Sequence, residues 1–362
     1  MARFDYFDSF RGILCLSVMI FHLGLETYTL HGFHFGVIGF FVLSAFLLTY
    51  RLIKQYESAN SILTILKLTV NYAIMRFFRI YIPYIIYFTI FKYVFKKEQT
   101  KNKKSFLNAI MLDLWGRVIH LWTMPIEIRY YFLIPIIAFV SVKFYKNKMI
   151  VWSLFLLNLI FLSSINKYKL FSIGEDLENS RFSRYLPIFM SGSILAIVYL
   201  NLQETKWIEK LNQNNIYKYS MWIPCVYVFW YLCRAHAWYG TIRNDAYLYS
   251  AGINLFMFLL LISPSNFMAD YLSKETLLKL YGKYSYGIYL FHYDILDCLQ
   301  PLKLIITDRV VYLHIFALFA GMLFYYIVEN NLMIIARYLI IFINERLSGY
   351  KPLKIRQEEI NV

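Results

Sequence analysis

Apolar residues run in long unbroken stretches from one end of the chain to the other, and polar residues gather between them. Ten stretches are long enough to cross a bilayer: 10–27, 35–53, 76–95, 119–141, 149–165, 184–201, 217–234, 246–263, 283–301 and 309–328. A hydrocarbon core is about 30 Å thick and takes about 20 helical residues to span. The runs are continuous and do not alternate, so they predict helices and not barrel strands. Two shorter segments look interfacial: 331–345, NLMIIARYLIIFINE, which is amphipathic, and 58–75, capped by Asn60 or Ser61. The predicted fold is all-α, a polytopic membrane bundle of about ten transmembrane helices plus short interfacial helices. Residues 1–345 form one membrane domain and 346–362 a basic cytoplasmic tail.

Composition sharpens this picture. The 362 residues are 59% hydrophobic and 20% aromatic, which leaves no room for a sizeable soluble domain. Part of the aromatic share is interfacial belt. The net charge of +15 comes from Lys and Arg flanking the apolar runs, so the expected partner is the lipid bilayer and not nucleic acid. The Lys and Arg bias puts both termini in the cytoplasm, although KKEQTKNKK at 96–104 opposes it. Cys15, Cys225, Cys233 and Cys298 lie in apolar runs without CxxC or zinc spacing, and read as buried thiols with no metal site. No small-residue cleavage site follows the first run, so a retained first helix is expected.

Polar residues inside the apolar runs carry the candidate chemistry. In RGILCLSVMIFH, Arg11 and His22 are eleven residues apart. That is about 1100° of helix, so they share one face roughly 16 Å apart, with Asp8 and Cys15 on nearly the same stripe. An ionisable group near the midplane must face protein or water. In RFFRIYIPY, Arg76 and Arg79 are i,i+3 neighbours at the cytoplasmic mouth of a span. Paired guanidinium groups suit a phosphate or carboxylate, although positive-inside flanking charge is the plainer account from the residues alone. In LWTMPIEIRYYFLIPII, Glu127 and Arg129 point to different faces, each a candidate for an interhelical pair or for a site. In YGKYSYGIYLFHYDIL, Ser285, Tyr289 and His292 form one stripe at i, i+4, i+7, and Asp294 adds a carboxylate. Glu329, at the end of the last run, reads as solvated near the interface.

The chain has no Walker loop, Rossmann glycine fingerprint, HExxH or GxSxG. The sequence thus gives no sign of nucleotide hydrolysis, nicotinamide chemistry, zinc proteolysis or serine-hydrolase work, and buried Arg, Glu and His fit an enzyme site or the pathway of a transporter or flippase of an envelope saccharide or lipid.

The ordered motifs separate these two. DSFRGILCLSVMIFH at 8–22, GVIGFFVLSAFLLT at 36–49, RFFRIYIP at 76–83, LWTMPIEIRYYFLIP at 121–135, RYLPIFMSGSILA at 184–196 and YSYGIYLFH at 284–292 together resemble the acyltransferase 3 family. These are integral-membrane O-acyltransferases that often O-acetylate cell-surface glycans. Ala45 stands where the family usually has glycine, Met124 where it has leucine, and Glu329 lacks a proline that commonly follows. The resemblance implies a plasma-membrane enzyme with acetyl-CoA as acyl donor and a hydroxyl of an envelope or exported glycan as acceptor. It implies catalytic roles for His22, Glu127 and Arg11, donor binding by Arg76 and Arg79, and a substrate cavity lined by Ser285, Tyr289 and His292. Many relatives carry a fused extracytoplasmic esterase-like domain. The expectation here is transfer in the membrane domain or with a partner protein. Acceptor identity and oligomeric state are not legible in the sequence.

Overall fold

The computed structural model describes residues 4–23, 35–90, 119–168, 178–239, 246–264, 266–274, 276–302 and 305–348. The segment 96–104 and the tail beyond 348 lie outside the described residues, as does the end of the first run beyond Leu23.

Among the described residues the fold is all-α. Its helices are α1 (Asp5–His22), α2 (Phe35–Glu57), α3 (Ile62–Arg76), α4 (Ile82–Ile90), α5 (Thr123–Ser141), α6 (Lys148–Tyr168), α7 (Glu178–Glu204), α8 (Trp207–Asn212), α9 (Asn215–Ser220), α10 (Trp222–Tyr239), α11 (Ala246–Ile262), α12 (Phe267–Ser273), α13 (Leu277–Leu299), α14 (Ile306–Phe324) and α15 (Asn330–Ser348). Five continuous helical stretches are long and apolar enough to cross a membrane: Phe35–Glu57, Ile62–Ile90, Thr123–Ser141, Tyr185–Glu204 and Ile306–Arg346. A sixth arises if α11 and α12, bent by 92° to each other, count as one broken span. The protein is therefore an integral membrane protein, with five to six such spans among the described residues, against the ten expected for the chain. Part of the shortfall has a chemical cause. Helix α1 carries Asp5, Asp8 and Arg11, and α13 carries Lys279, Lys283, Asp294 and Asp297. Their charged residues keep these two helices below that threshold, and of these Asp8, Arg11 and Asp294 lie at or beside the candidate site.

The two segments read as interfacial are continuations of spanning helices. Ser61 caps α3, its hydroxyl accepting from the Thr64 amide at 3.2 Å, but α3 runs straight on through a π-turn, Phe77–Tyr81, into α4. Likewise α14 passes through a second π-turn, Tyr325–Glu329, into α15. A 41-residue helix is about 60 Å long, twice the hydrocarbon thickness. The overhanging ends pack on one another, with Asn344 donating to Asn71 at 3.5 Å.

Close crossings hold the bundle together. Gly192 of α7 sits against the Val42 carbonyl and the Ala45 methyl of α2. The glycine on α7 thus makes room for the methyl of Ala45. A buried polar ladder ties the same helices. Thr49 meets Ser193 at 2.6 Å, Ser193 meets Tyr130 at 2.7 Å, and Asn254 donates to Ser191 at 2.8 Å. Such interhelical bonds are the usual glue where no hydrophobic force acts between helices in lipid. Of the four cysteines, all free, Cys15 and Cys225 are buried and Cys233 half-buried, whereas Cys298 is exposed, against expectation.

Candidate active site

Helices α1 and α13 run parallel and nearly touch. Gly12 faces the backbone of Leu278, and Gly282 faces the backbone of Asp8 and Gly12. Neither position has room for a side chain, which is why the backbones can come so close. Ten residues further along each helix, His22 meets His292, with ring centroids 5.1 Å apart. The equal spacing from the glycine crossing puts the two imidazoles at one level. His22 occupies the last turn of α1, half-buried, with Tyr293 edge-on at 5.5 Å. His292 is fully buried, and its Nδ1 lies 2.8 Å from the Tyr289 carbonyl. A carbonyl only accepts, so neutral His292 carries its proton on Nδ1 and presents the Nε2 lone pair.

Around this pair the helices are pinned by hydroxyls. Tyr289 shares a hydrogen bond with Thr123 of α5 at 2.6 Å, and Tyr87 of α4 donates to Asp294 at 2.5 Å. Ser285 is buried and donates to the Gly282 carbonyl of its own helix at 2.9 Å. The stripe of Ser285, Tyr289 and His292 therefore does three different things: a local backbone bond, an interhelical bond and a partner for His22.

The arginines gather toward the other end of α1. Arg11 pairs with Asp8 at 3.3 Å and lies within electrostatic reach of Arg79, Arg51 and Tyr131. Glu127 of α5 accepts from Tyr131, has Ser44 of α2 as a second hydrogen-bond neighbour, and feels Arg76 and Arg11. It also lies within electrostatic reach of Tyr289, whose ring is 5.9 Å from that of His292, so Glu127 stands between the two ends of the seam. Arg129, two residues on, is exposed, as the helical spacing requires.

Arg79 sits in the first π-turn and Glu329 in the second. Their side chains meet at 3.5 Å, Arg79 part-exposed and Glu329 fully buried. A π-turn widens a helix by one residue and re-aims its side chains, and it is often found at functional sites. Tyr286 of α13 donates to the Ile80 carbonyl at 2.8 Å and pins the first of these turns. Glu329 is not solvated as its sequence position implied. Sequence reasoning undervalued it because apolar flanks and a nearby chain end look alike in an interfacial and a buried residue. Arg51 was missed outright, hidden among the flanking cations at the end of α2. Arg76 has its Nε buried without a hydrogen-bond acceptor.

The seam thus has an imidazole pair at one end and guanidinium groups at the other, with Glu127 and Tyr131 beside them. Such an array suits holding an anionic group at one point and moving a proton at another.

The chain is 26% identical to O-acetyltransferase OatA of Staphylococcus aureus (strain NCTC 8325 / PS 47), over 80% of this chain and 50% of that one. It is 24% identical to peptidoglycan O-acetyltransferase OatA of Listeria monocytogenes serovar 1/2a, over 81% of this chain and 49% of that one. The chain therefore spans about half the length of these curated relatives. No solved structure matches it. The family model described as an acyltransferase domain, Acyl_transf_3, matches residues 4–343, so the chain belongs to the acyltransferase 3 family.

Proposed function

We propose that the protein is an O-acyltransferase that moves an acyl group, acetyl by preference, from cytoplasmic acyl-CoA to a hydroxyl of a cell-envelope or exported glycan. The observation that carries this reading is the meeting of His22 and His292 at one end of a seam whose other end is lined by Arg11, Arg76 and Arg79. That polarity matches the donor, whose phosphates lie at one end and whose thioester lies at the other.

In this mechanism Arg76 and Arg79 hold the donor phosphates, and Arg11 positions the donor arm. His22 takes the proton of the acceptor hydroxyl as its oxygen attacks the thioester carbonyl. The tetrahedral oxyanion collapses, the C–S bond breaks, and the coenzyme thiolate takes the proton back from His22. His292 shapes the pocket beside His22 and orients its ring. Glu127 balances the guanidinium charge between donor phosphates and reacting centre. Ser285 and Tyr289 line the same cavity on the acceptor side.

The test is transfer of labelled acetyl from acetyl-CoA by the purified chain in lipid nanodiscs, with envelope glycan as acceptor. His22→Ala is expected to bind acetyl-CoA and transfer nothing. Specific export of a saccharide without binding of acetyl-CoA would establish the transporter reading instead.

A further inference from the structure

Arg51 stands near the C-terminal end of α2, six residues before Glu57, with its side chain exposed. Seven residues before it is Ser44, and seven helical residues are about 700°, within about 20° of two full turns. Arg51 therefore leaves α2 on the face that Ser44 presents to Glu127. Helices α1 and α2 are antiparallel, with Gly39 against Leu14 and Phe46 against Phe7. This register sets Val42 opposite Arg11, so Arg51 lies about 13 Å beyond Arg11 along the axis, away from His22. Helix α3 returns beside α2, with Tyr56 and Thr69 joined at 2.5 Å. From that bond, Arg51 and Arg76 lie about 8 Å and 10 Å up their helices in the same direction. Arg51 accordingly lies within electrostatic reach of Arg76 and Asp8.

Like charges held together need a counter-charge. Asp8 pairs with Arg11 and Glu329 with Arg79. Among the described residues, neither Arg51 nor Arg76 is in an ion pair, although Asp8 and Glu127 lie within electrostatic reach of them, and the Arg76 Nε has no acceptor. Two guanidinium groups on neighbouring helices, neither in an ion pair, suit an extended polyanion that offers one phosphate to each.

We propose that Arg51 is the outermost phosphate-binding side chain of the donor site and takes the 3′-phosphate of coenzyme A, the phosphate farthest from the thioester. The inference rests on the acyl-CoA reading above and adds to it a residue that selects between donors. Arg76 and Arg79, nearer the reacting end, are left with the pyrophosphate.

The experiment is calorimetric titration of the full chain, in nanodiscs of neutral lipid, with acetyl-CoA and with 3′-dephospho-acetyl-CoA. The wild type is expected to bind the dephospho donor at least about tenfold more weakly, the scale of a charge-assisted bond. Arg51→Gln should weaken acetyl-CoA by the same factor and leave the dephospho donor unchanged, and Arg51→Lys should recover part of the loss. Arg76→Gln should weaken both donors alike. Equal weakening of both donors by Arg51→Gln, or no weakening, overturns the proposal. If Arg51→Gln binds both donors normally but loses a dependence on added phosphatidylglycerol, Arg51 serves a lipid head group and the proposal falls. If the wild type binds neither donor, the acyl-CoA reading itself is wrong.

Discussion

Gly282→Ala is a small change with a large expected effect. A Cβ built on Gly282 would lie 1.8 Å from the Asp8 carbonyl oxygen, and real Cβ contacts essentially never fall below 3.0 Å. The obstacle is helix backbone on both sides, so no rotamer change relieves it. Helices α1 and α13 must part locally by at least 1.2 Å, the difference of those two distances. The same two helices carry His22 and His292, whose rings meet at 5.1 Å. A displacement of about 1 Å in a catalytic pair costs roughly a hundredfold in rate. Gly282→Ala should therefore lower kcat for acetyl transfer by about two orders of magnitude, and because the clash falls on Asp8, the partner of Arg11, it should weaken acetyl-CoA binding as well. Gly12→Ala, whose Cβ meets the Leu278 carbonyl at 1.9 Å, should do the same. Gly252→Ala is the control: its Cβ meets only the tip of Leu232, a flexible side chain, at 2.8 Å, and activity should be kept. Steady-state transfer kinetics with a thermal-unfolding check measures all three. Full activity in a folded Gly282→Ala protein would refute the claim that the glycine crossing sets the histidine pair.

Three further outcomes are expected. His292→Ala should cut kcat and shift the pH profile of transfer, because the ring beside His22 is lost; an unchanged profile would reduce His292 to packing. Arg79→Met should strand the buried Glu329 carboxylate and cost about 3 kcal/mol of stability, read as a lower unfolding temperature. The pair Arg79→Met with Glu329→Met should restore stability but not donor binding, and restored binding would show that Arg79 is only a structural partner. Thr49→Val removes one rung of the ladder to Ser193 and Tyr130 and should cost about 0.6 kcal/mol, measurable by denaturation in detergent.

Much of the site was legible in the chain because helix periodicity is rigid. Arg11 and His22 fall on one face by arithmetic alone, whereas Arg79, expected beside Arg76, lies in a π-turn and meets Glu329. The Ser61 cap and the opposed faces of Glu127 and Arg129 follow in the same way. Three kinds of information were not there. First, the apolar runs 10–27 and 283–301 begin inside α1 and α13, so counting runs left out Asp5, Asp8 and Lys279, which these helices also carry. Second, π-turns leave no periodic signature, so the continuity of α3 with α4 and of α14 with α15, and the burial of Glu329, were invisible. Third, tertiary proximity decides which flanking cation belongs to the site. Arg51 resembles any positive-inside residue until α3 returns beside it. The juxtaposition of His22 with His292 is likewise a property of two helices 270 residues apart in sequence.

The most direct test of the transferase reading is mass spectrometry of the host's surface glycan with the gene deleted, then restored as wild type or as His22→Ala. One acyl group should vanish on deletion, return with the wild type and stay absent with His22→Ala, and the same spectrum would identify the modified sugar. A glycan that disappears altogether, or stalls inside the cell with its acylation intact, would contradict the transferase account and turn the polar seam into a translocation path.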